Sequence, residues 1–444
     1  MARAKKEAAL TPEERLKEAL VPDWEWPYKL PENWCWTTVG AINQYAGISA
    51  NPTKAKNETF ELYSVPSSAD NYPEIVLGAD IGSTKQSVKK GDVLLCKINP
   101  RINRVWKVSK YTDHSLLASS EWIVIRNSGL ISNYLMWCFR SPYFRRYMLS
   151  NVSGVGGSLM RAQPKFVQGY PVPVPPFAEQ QRIVDRIENL FTKLDEAKEK
   201  AQAVLDSFET RKAAILHKAF TGELTAKWRE EHGVSIDNWK TTRFDSVAAI
   251  RSNLVDPAEY QSFPHIAPDN IEKKTGVLLE YHTIAEDGVT SGKHRFYSGQ
   301  ILYSKIRPYL SKAVVVDFDG LCSADMYPIE AYQNARCLWY YMLSDEFLLQ
   351  ASTAGSRSVL PKINQKELSA LTVHLPTNDR EQEEIARILD ELFDKEQQTK
   401  EAAEVVLDQI DLMKKSILAR AFRGELGTND PSEESAVELL KRVL

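Results

Sequence analysis

Apolar residues recur in steps of four and three through two long stretches of this chain. The first stretch runs from Ile183 to Ile215 and the second from Ile385 to Ile417. Steps of this kind keep apolar side chains on one helical face over about five heptads, so they predict two long helices with coiled-coil seams. The predicted seam residues are Ile183, Ile187, Leu190, Leu194, Val204, Phe208, Ile215, Ile385, Leu389, Leu392, Val406, Ile410, Met413 and Ile417.

Polar residues interrupt both seams. Arg211 breaks the first, and Glu396 and Thr399 break the second. A glycine follows the last periodic turn of each stretch, at Gly222 and Gly424, where a left-handed helix cap favours glycine. One interpretation is that each helix is an amphipathic helix of its own domain. Matched length, seams and caps favour the interpretation that the two helices pair with each other.

The two helices belong to an internal repeat. Phe422 of AFRGEL lies 202 positions after Phe220 of AFTGEL. The helical segments that precede the two motifs align with each other at the same offset without a gap. Preceding segments match more weakly: GDVLLCKINPR (91–101) resembles GQILYSKIRPY (299–309), and SSEWIV (119–124) resembles SADMYP (323–328). The chain therefore contains a globular body of mixed strands and helices followed by a long helix, and then contains that unit again.

This organisation predicts an α+β fold. Two similar globular domains are joined by two long helices that pair as an antiparallel coiled coil, with approximate two-fold symmetry, and 444 residues are enough for several cores. The expected segments are 1–30, an N-terminal helical extension; 31–176, the first globular domain; 177–224, the first long helix; 225–237, a linker; 238–377, the second globular domain; 378–427, the second long helix; and 428–444, a C-terminal tail helix.

Composition says more about the cellular compartment of the protein than about its function. The net charge is −3, which favours no class of partner for the chain as a whole. Five cysteines lie far apart without a C-x-x-C pair, so neither a disulfide framework nor a zinc site is expected, and a reducing compartment is favoured. No stretch of about 18 apolar residues predicts a membrane span. We therefore expect a cytoplasmic protein without a membrane partner.

Basic side chains occur at the same place in both globular domains. The runs are KINPRINRVWKVSKY (97–111) and KIRPYLSK (305–312), each followed later by a loop rich in small residues at 153–165 and 352–362. Such cations contact DNA phosphates or guanine edges, whereas the alternatives are a solvated face and a plain connector. Their recurrence favours DNA. The candidates are Lys97, Arg101, Arg104, Lys107, Arg161, Lys165, Lys305, Arg307, Tyr309, Lys312, Arg357 and Lys362.

Charge supports a DNA partner for only one domain. Residues 31–175 hold 16 lysines and arginines against 9 acids, whereas residues 238–376 hold 14 against 15. The first domain therefore carries the electrostatic signal for a polyanion, and DNA contacts of the second depend on its local basic run.

Motifs for catalysis are missing from the sequence. It contains no G-x-x-x-x-G-K-[ST] and no H-E-x-x-H pattern. VPPF (174–177) is similar to the Asx-Pro-Pro-aromatic motif of adenine methyltransferases, but Val174 stands where that motif needs a polar side chain. We therefore predict no catalytic, cofactor-binding or metal-binding residues in this chain.

Two segments carry a resemblance to a known family. PVPVPPFAEQQRIVDRIENLF (171–191), with the long helix and KAFTGELTAKWR (218–229) behind it, resembles the specificity subunits of type I restriction–modification systems. REQEEIARILDELF (380–393) with ARAFRGEL (419–426) is similar to the second helical region of the same family. The resemblance covers most of the chain after residue 30.

The resemblance implies a specific set of partners. Each globular domain would be a target-recognition domain for one half of a bipartite, asymmetric double-stranded DNA site, and the helix pair would set the gap between the halves. The chain would assemble with two modification (methyltransferase) subunits and with restriction (motor-nuclease) subunits. S-adenosylmethionine, ATP and magnesium would then belong to those partners. The alternatives are a self-contained methyltransferase or nuclease, and a coiled-coil adaptor that binds only proteins.

Overall fold

The structure is a computed structural model that describes residues 11–154, 160–354 and 361–444. The chain separates into two compact units, which we call the first unit (Met1–Lys200 with Val406–Leu444) and the second unit (Ala201–Val405). Each unit contains one globular body and a part of both long helices. The division therefore falls inside the predicted helices rather than between the predicted domains.

The α-helices in chain order are α1 Pro12–Ala19, α2 Val39–Ile42, α3 Ser132–Arg140, α4 Pro142–Ser150, α5 Pro164–Val167, α6 Phe177–Asp206, α7 Phe208–Phe220, α8 Ala226–His232, α9 Ile284–Asp287, α10 Ala335–Met342, α11 Asp345–Ala354, α12 Gln365–Ala370, α13 Asp379–Ala421 and α14 Ala436–Val443. The first long helix is thus interrupted at Ser207, whereas α13 runs for 43 residues without a break. No helix within the described residues is both long and apolar enough to cross a membrane.

The strands are β1 Cys35–Thr38, β2 Ser49–Ala50, β3 Thr59–Tyr63, β4 Glu74–Leu77, β5 Lys85–Ser87, β6 Val93–Cys96, β7 Val105–Lys107, β8 Ser115–Ala118, β9 Trp122–Ile125, β10 Val152–Ser153, β11 Arg161–Ala162, β12 Pro171–Val174, β13 Trp239–Arg243, β14 Ala248–Ile250, β15 Leu254–Val255, β16 Pro264–Ile266, β17 His282–Thr283, β18 Lys293–Phe296, β19 Ile301–Ser304, β20 Ala313–Val315, β21 Gly320–Cys322, β22 Met326–Ala331 and β23 Thr372–Pro376.

The two globular bodies have the same sheet topology. A five-stranded sheet has the order β2-β5-β8-β3-β4 in the first unit and β15-β18-β21-β16-β17 in the second. One parallel contact, β3 with β8 and β16 with β21, recurs in both among antiparallel neighbours. A smaller sheet contains β7-β6-β9 in the first unit and β20-β19-β22, extended by β14, in the second. The weak repeat in sequence therefore corresponds to a repeat of the main sheet topology.

The seam of α13 departs from its predicted positions in its second half. Val406 and Met413 are 39% and 48% exposed, so their assignment to the seam was wrong. The residues that directly follow them, Leu407 and Lys414, are less exposed. A straight α-helix drifts by about 20° per heptad from a 3.5-residue repeat. After three to four heptads counted from Ile385, the drift brings the next residue onto the packed face.

Side chains show the direction of helix pairing inside the second unit. Phe208 lies under the Lys400 ammonium, 5.2 Å from ring centroid to nitrogen, and Arg211 donates from Nε to Glu396 Oε2 at 2.9 Å. Since the residue number on α13 falls as the number on α7 rises, the two helices run antiparallel there. Arg211 and Glu396, which interrupt the predicted seams, are therefore partners of each other.

A buried glutamate anchors the C-terminal tail in the first unit. Glu179, in the first turn of α6, is fully buried and accepts a hydrogen bond from Thr428 Oγ1 at 2.6 Å. Arg182 lies 2.9 Å from Glu179 Oε2 and 2.8 Å from Glu433 Oε1. Burial raises the pKa of Glu179, and the bonds from Thr428 and Arg182 oppose that rise. The segment that follows α13 thus docks onto the start of α6.

The second unit contains the same arrangement of a buried glutamate bonded to a threonine and an arginine, which we call the clamp. Glu381, in the first turn of α13, is fully buried, and its Oε1 accepts from Thr225 Oγ1 at 2.8 Å, Arg229 Nη1 at 2.7 Å and Trp239 Nε1 at 3.1 Å. The segment that follows α7 therefore docks onto the start of α13. Residues 221–229 form a fixed part of the second unit rather than a free linker.

The N-terminal extension lies against the C-terminal tail in the first unit. α1 begins with a capping box between Thr11 and Glu14 and packs on α14. Lys441 Nζ lies 3.1 Å from Glu13 Oε1, and Arg15 Nη1 donates to the Leu444 carbonyl at 3.4 Å. The two ends of the described chain are thus neighbours in one unit.

Candidate nucleic-acid interface

An exposed loop of the same unusual conformation connects two strands of the smaller sheet in each unit. We call residues 99–103, between β6 and β7, the first tip loop, and residues 307–311, between β19 and β20, the second tip loop. Each consists of one 3-10 turn that begins with proline and is flanked by left-handed residues. The φ angles are 45° at Asn99, 53° at Asn103, 49° at Arg307 and 45° at Ser311. Left-handed non-glycine residues cost energy and cluster at functional sites, so this recurrence marks the loops as a candidate site.

Backbone hydrogen bonds fix the base of the first tip loop. Asn99 N donates to the Met160 carbonyl at 2.8 Å, and Ala162 N donates to the Lys97 carbonyl at 2.8 Å. On the other side, Lys97 N donates to the Glu121 carbonyl at 3.1 Å. Because three chain segments meet there, the position of the tip is fixed by the fold and not by its exposed side chains.

The second tip loop is held by the equivalent bonds. Arg307 N donates to the Pro361 carbonyl at 2.8 Å, and Ile363 N donates to the Lys305 carbonyl at 2.9 Å. Lys305 N donates to the Asp325 carbonyl at 2.9 Å. The same scaffold therefore presents both loops, although few of their residues are identical.

An acidic residue behind each tip loop holds a cation at its edge. Arg161 Nη2 lies 3.3 Å from Glu121 Oε1 in the first unit. Lys362 Nζ lies 3.0 Å from Asp325 Oδ1 in the second, with Lys305 Nζ 3.9 Å from the same oxygen. Burial lowers the pKa of Lys305, and the Asp325 carboxylate opposes that effect. Each site thus combines positive charge with an acid that orients it.

The outermost side chains of the two loops differ in chemistry. Arg101 and Ile102 are exposed on the first, and Arg307 and Tyr309 are exposed on the second. Neither arginine has a side-chain hydrogen bond or ion pair among the residues that the structure describes. The two guanidinium groups are therefore available to a ligand, and the apolar or aromatic neighbour changes from one unit to the other.

Besides the ion-paired Arg161, Lys362 and Lys305, whose amine also donates to the Ala324 carbonyl, two more of the sequence-predicted DNA candidates are engaged within the protein. Lys107 Nζ donates to Asn133 Oδ1 at 2.6 Å, and Lys312 Nζ donates to the Pro268 carbonyl at 2.7 Å and lies 3.7 Å from Asp269 Oδ1. We correct their assignment to the DNA face, because these contacts connect strands to neighbouring elements and occupy the amines.

The remaining candidates, Lys97 among them, are half-buried or exposed, or lie outside the described residues. Arg104 is half-buried near the Cys96 thiol, whose pKa is raised by burial. Lys165 is exposed and its amine lies 4.8 Å from the Phe166 ring centroid. Arg357 falls outside the residues that the structure describes, so its assignment stays a prediction from sequence.

Sequence reasoning missed the residues that shape and orient the tips. Asn99 and Asn103 provide the left-handed positions, and asparagine tolerates that conformation better than most residues. Glu121 and Asp325 provide the acids. A signal for the acids existed, because SSEWIV and SADMYP place them at the same position of the repeat. A pattern of basic residues alone does not reveal these two acids.

Comparisons with known proteins agree with this geometry. Residues 236–406 match the family model described as "Type I restriction modification DNA specificity domain". Over 370 residues the chain is 35% identical to the type I restriction enzyme EcoDI specificity subunit of Escherichia coli, covering 77% of this chain and 82% of that protein. The chain belongs to the type I restriction enzyme specificity subunits. The resemblance stated from the sequence motifs is thereby confirmed, and the protein is a DNA-recognition subunit.

Other relatives of this specificity subunit are more distant. The EcoKI specificity subunit of Escherichia coli strain K12 is 24% identical over 357 residues, covering 72% of this chain and 73% of that one. A crystal structure of the HsdS subunit from Thermoanaerobacter tengcongensis matches with a TM-score of 0.64 at 20% identity, covering 90% of this chain and all of that chain. A structure from work on assembly and conformational transition of the type I R-M system has a TM-score of 0.68 at 20% identity, with the same coverage. These structures support the predicted α+β fold with a long helix pair.

Proposed function

We propose that this specificity subunit reads one half of a bipartite, asymmetric double-stranded DNA site with each of its globular bodies, through the two tip loops. The observation that carries the proposal is the recurrence of one strained loop on one scaffold with different exposed side chains. A shared scaffold suits a shared task, the docking of DNA. Different tips, with Arg101 and Ile102 on one and Arg307 and Tyr309 on the other, suit different base sequences.

The chemistry of the tips fits base reading. An exposed guanidinium donates two hydrogen bonds to the O6 and N7 atoms of guanine in the major groove, which is the commonest specific protein–DNA contact. Ile102 and Tyr309 offer apolar surface for a thymine methyl group or a base face. Arg161 and Lys362 lie at the edge of each loop, where they fit the role of phosphate contacts that position the loop without reading sequence.

Removal of the edge cations is expected to weaken DNA binding equally for all sequences. In the assembled complex, Lys362→Ala and Arg161→Ala should each lower the magnitude of the slope of log affinity against log salt by about 0.9, because one phosphate contact disappears. The measurement is a binding titration at several salt concentrations. Lys227→Ala, an exposed lysine on α8, serves as the control and should leave the slope unchanged. A changed base preference in either edge variant would contradict a role limited to phosphate.

We infer that the chemistry of methylation and cleavage belongs to partner subunits. Two modification subunits would contribute S-adenosylmethionine-dependent methyl transfer, and restriction subunits would contribute ATP- and magnesium-dependent translocation and cleavage. The support is the name shared by the relatives, specificity subunits of type I restriction enzymes, together with a sequence that lacks catalytic motifs. The long helices would dock the modification subunits and set the gap between half-sites, since α13 alone is about 65 Å long at 1.5 Å per residue.

The division of labour has a direct test. Purified chain with DNA and labelled S-adenosylmethionine is expected to transfer no methyl group, and addition of the modification subunit should start transfer to adenine. Methyl transfer by the chain alone would establish the self-contained enzyme instead. An assembled complex that methylates but protects no DNA sequence in footprinting would favour the protein-only adaptor.

A further inference from the structure

One buried lysine of the second unit has no acidic partner. Lys212, on α7, is 8% exposed. Its amine donates a hydrogen bond to the Lys274 carbonyl and lies 5.7 Å from the centroid of the Phe393 ring. Among the residues that the structure describes, no ion pair joins Lys212 to a carboxylate. Its positive charge is therefore removed from water without a counter-ion, which disfavours the charged form of the amine.

The equivalent lysine of the first unit has the partner that Lys212 lacks. Lys414 lies 202 positions after Lys212, and its amine is 5.2 Å from the centroid of the Phe191 ring. It forms an ion pair with Asp195, and its side chain is 24% exposed. The same 202-residue shift places the neutral Gln397 at the position of Asp195. The second unit thus keeps the lysine beside an aromatic ring and lacks the acid.

Lys212 also borders a cavity of about 320 Å³ in the second unit. Leu216 and Leu343 provide apolar wall beside it, and both are buried. Glu209 and Asp345, which are exposed, form another part of the wall. The cavity therefore connects solvent to the neighbourhood of a buried amine, and a small molecule can enter it without unfolding of the unit.

We propose that Lys212 is a site of covalent acylation, at which its amine accepts a short acyl group from an acyl phosphate. Only a neutral amine is a nucleophile, and an apolar pocket without a counter-ion favours the neutral form of lysine. The apolar part of the cavity wall suits a short acyl chain. This role is separate from DNA reading and does not depend on it.

The charges around the amine agree with this assignment. Burial lowers the pKa of Lys212 to about 8, whereas Glu209 and Glu272 oppose that effect and Lys274 and Lys400 add to it. An unperturbed lysine has a pKa of ~10.4, so less than ~1% of it is neutral at pH 8, against roughly half of Lys212.

The reaction needs no group beyond the amine and the donor. The ammonium first loses a proton to water, and the neutral Nζ attacks the carbonyl carbon of the acyl phosphate. A nitrogen–carbon bond forms, the bond from that carbon to the phosphate oxygen breaks, and phosphate leaves with the electron pair. The departing phosphate takes up the proton that the nitrogen loses. Lys212 then carries a neutral amide in place of its charge.

The test compares the acylation rates of individual lysines in the folded full-length chain. Acetyl phosphate is the probe, and mass spectrometry of peptides follows each lysine. At pH 8, Lys212 is expected to react about tenfold faster than Lys414 and than the exposed Lys227, because far more of it is neutral. Its rate should level off above pH 8, whereas that of Lys414 should keep rising. The difference should vanish in denaturant. Equal rates for Lys212 and Lys414 in the folded chain overturn the proposal.

Restoring the missing acid provides an independent arm. Gln397→Asp places a carboxylate where the first unit has Asp195, which should raise the pKa of Lys212 and slow its acylation at pH 8 by about threefold to tenfold. Gln397→Asn, which remains neutral, should react as the wild type does. The rate at Lys414 and the helix content by circular dichroism show whether each variant is folded. A folded Gln397→Asp variant in which Lys212 reacts at the wild-type rate would also overturn the proposal.

Discussion

Replacing Arg307 with alanine is expected to relax recognition in one half of the DNA site and leave the other half unchanged. Arg307 is exposed on the second tip loop, and its left-handed backbone is held by the bond from its amide to the Pro361 carbonyl. A bidentate arginine–guanine contact is worth about 1–3 kcal/mol of discrimination, or about 5- to 150-fold. Arg101→Ala should affect only the opposite half. The measurement is the methylation rate on duplexes with single base changes in each half.

The design separates loss of a base contact from loss of structure. Arg307→Lys keeps the charge but not the planar fork, so it should retain the salt dependence of binding and lose most of the discrimination. Arg243→Ala, which removes an exposed arginine paired with Asp245 at the end of β13, should change neither half-site. Loss of both half-sites together in Arg307→Ala would contradict independent reading by the two bodies.

Removal of the Glu381 carboxylate is expected to destabilise the second unit strongly. Glu381→Ala leaves Arg229, 11% exposed, without its counter-ion and takes the acceptor from Thr225 and Trp239. Breaking a buried ion pair by removing one partner costs about 3–5 kcal/mol. Denaturant unfolding of the full chain should therefore show an early transition with a midpoint well below that of the wild type.

A matched carboxylate on the same helix provides the control. Glu391 pairs with Arg387 on α13, but both side chains are more than half exposed. Such pairs contribute little because solvent already screens them, so Glu391→Ala should unfold at nearly the wild-type midpoint. Equal effects of Glu381→Ala and Glu391→Ala would mean that the buried clamp does not hold the second unit together.

The sequence was sufficient for the large-scale architecture because its signals there are periodic or repeated. Long α6, α7 and α13 follow from apolar steps sustained over many turns, and AFTGEL with AFRGEL reveals the repeat. The shift of the packed face beyond Val406 was not predictable from a fixed heptad count. It depends on the small difference between 3.5 and 3.6 residues per turn, which accumulates along a straight helix.

The order of the sheets and the contacts of the segments that follow the long helices could not be predicted from the sequence, for a different reason. Strands such as β2, β15 and β17 are two residues long, and their partners are distant in the chain, so local pattern has little information about their order. The docking of Thr225 on Glu381 and of Thr428 on Glu179 joins residues that are more than 150 positions apart. Only the fold brings them together.

The sequence located the candidate site but did not show which of its basic residues are free to contact a ligand. The basic runs that begin at Lys97 and Lys305 do lead into the tip loops. Charge alone could not separate Arg101 and Arg307, which are free at the tips, from Lys107 and Lys312, which are bonded inside. That separation depends on strand register and on the left-handed residues that turn the loops outward.

Methylome sequencing of cells that express this chain with its modification subunit tests the central claim most directly. Methylated adenines are expected in a two-part motif with a gap of fixed length, and they should be absent when this chain is omitted. Arg101→Ala and Arg307→Ala should alter opposite halves of that motif and leave the gap unchanged. A continuous motif, or a motif that persists without this chain, would contradict the assignment of sequence reading to its two globular bodies.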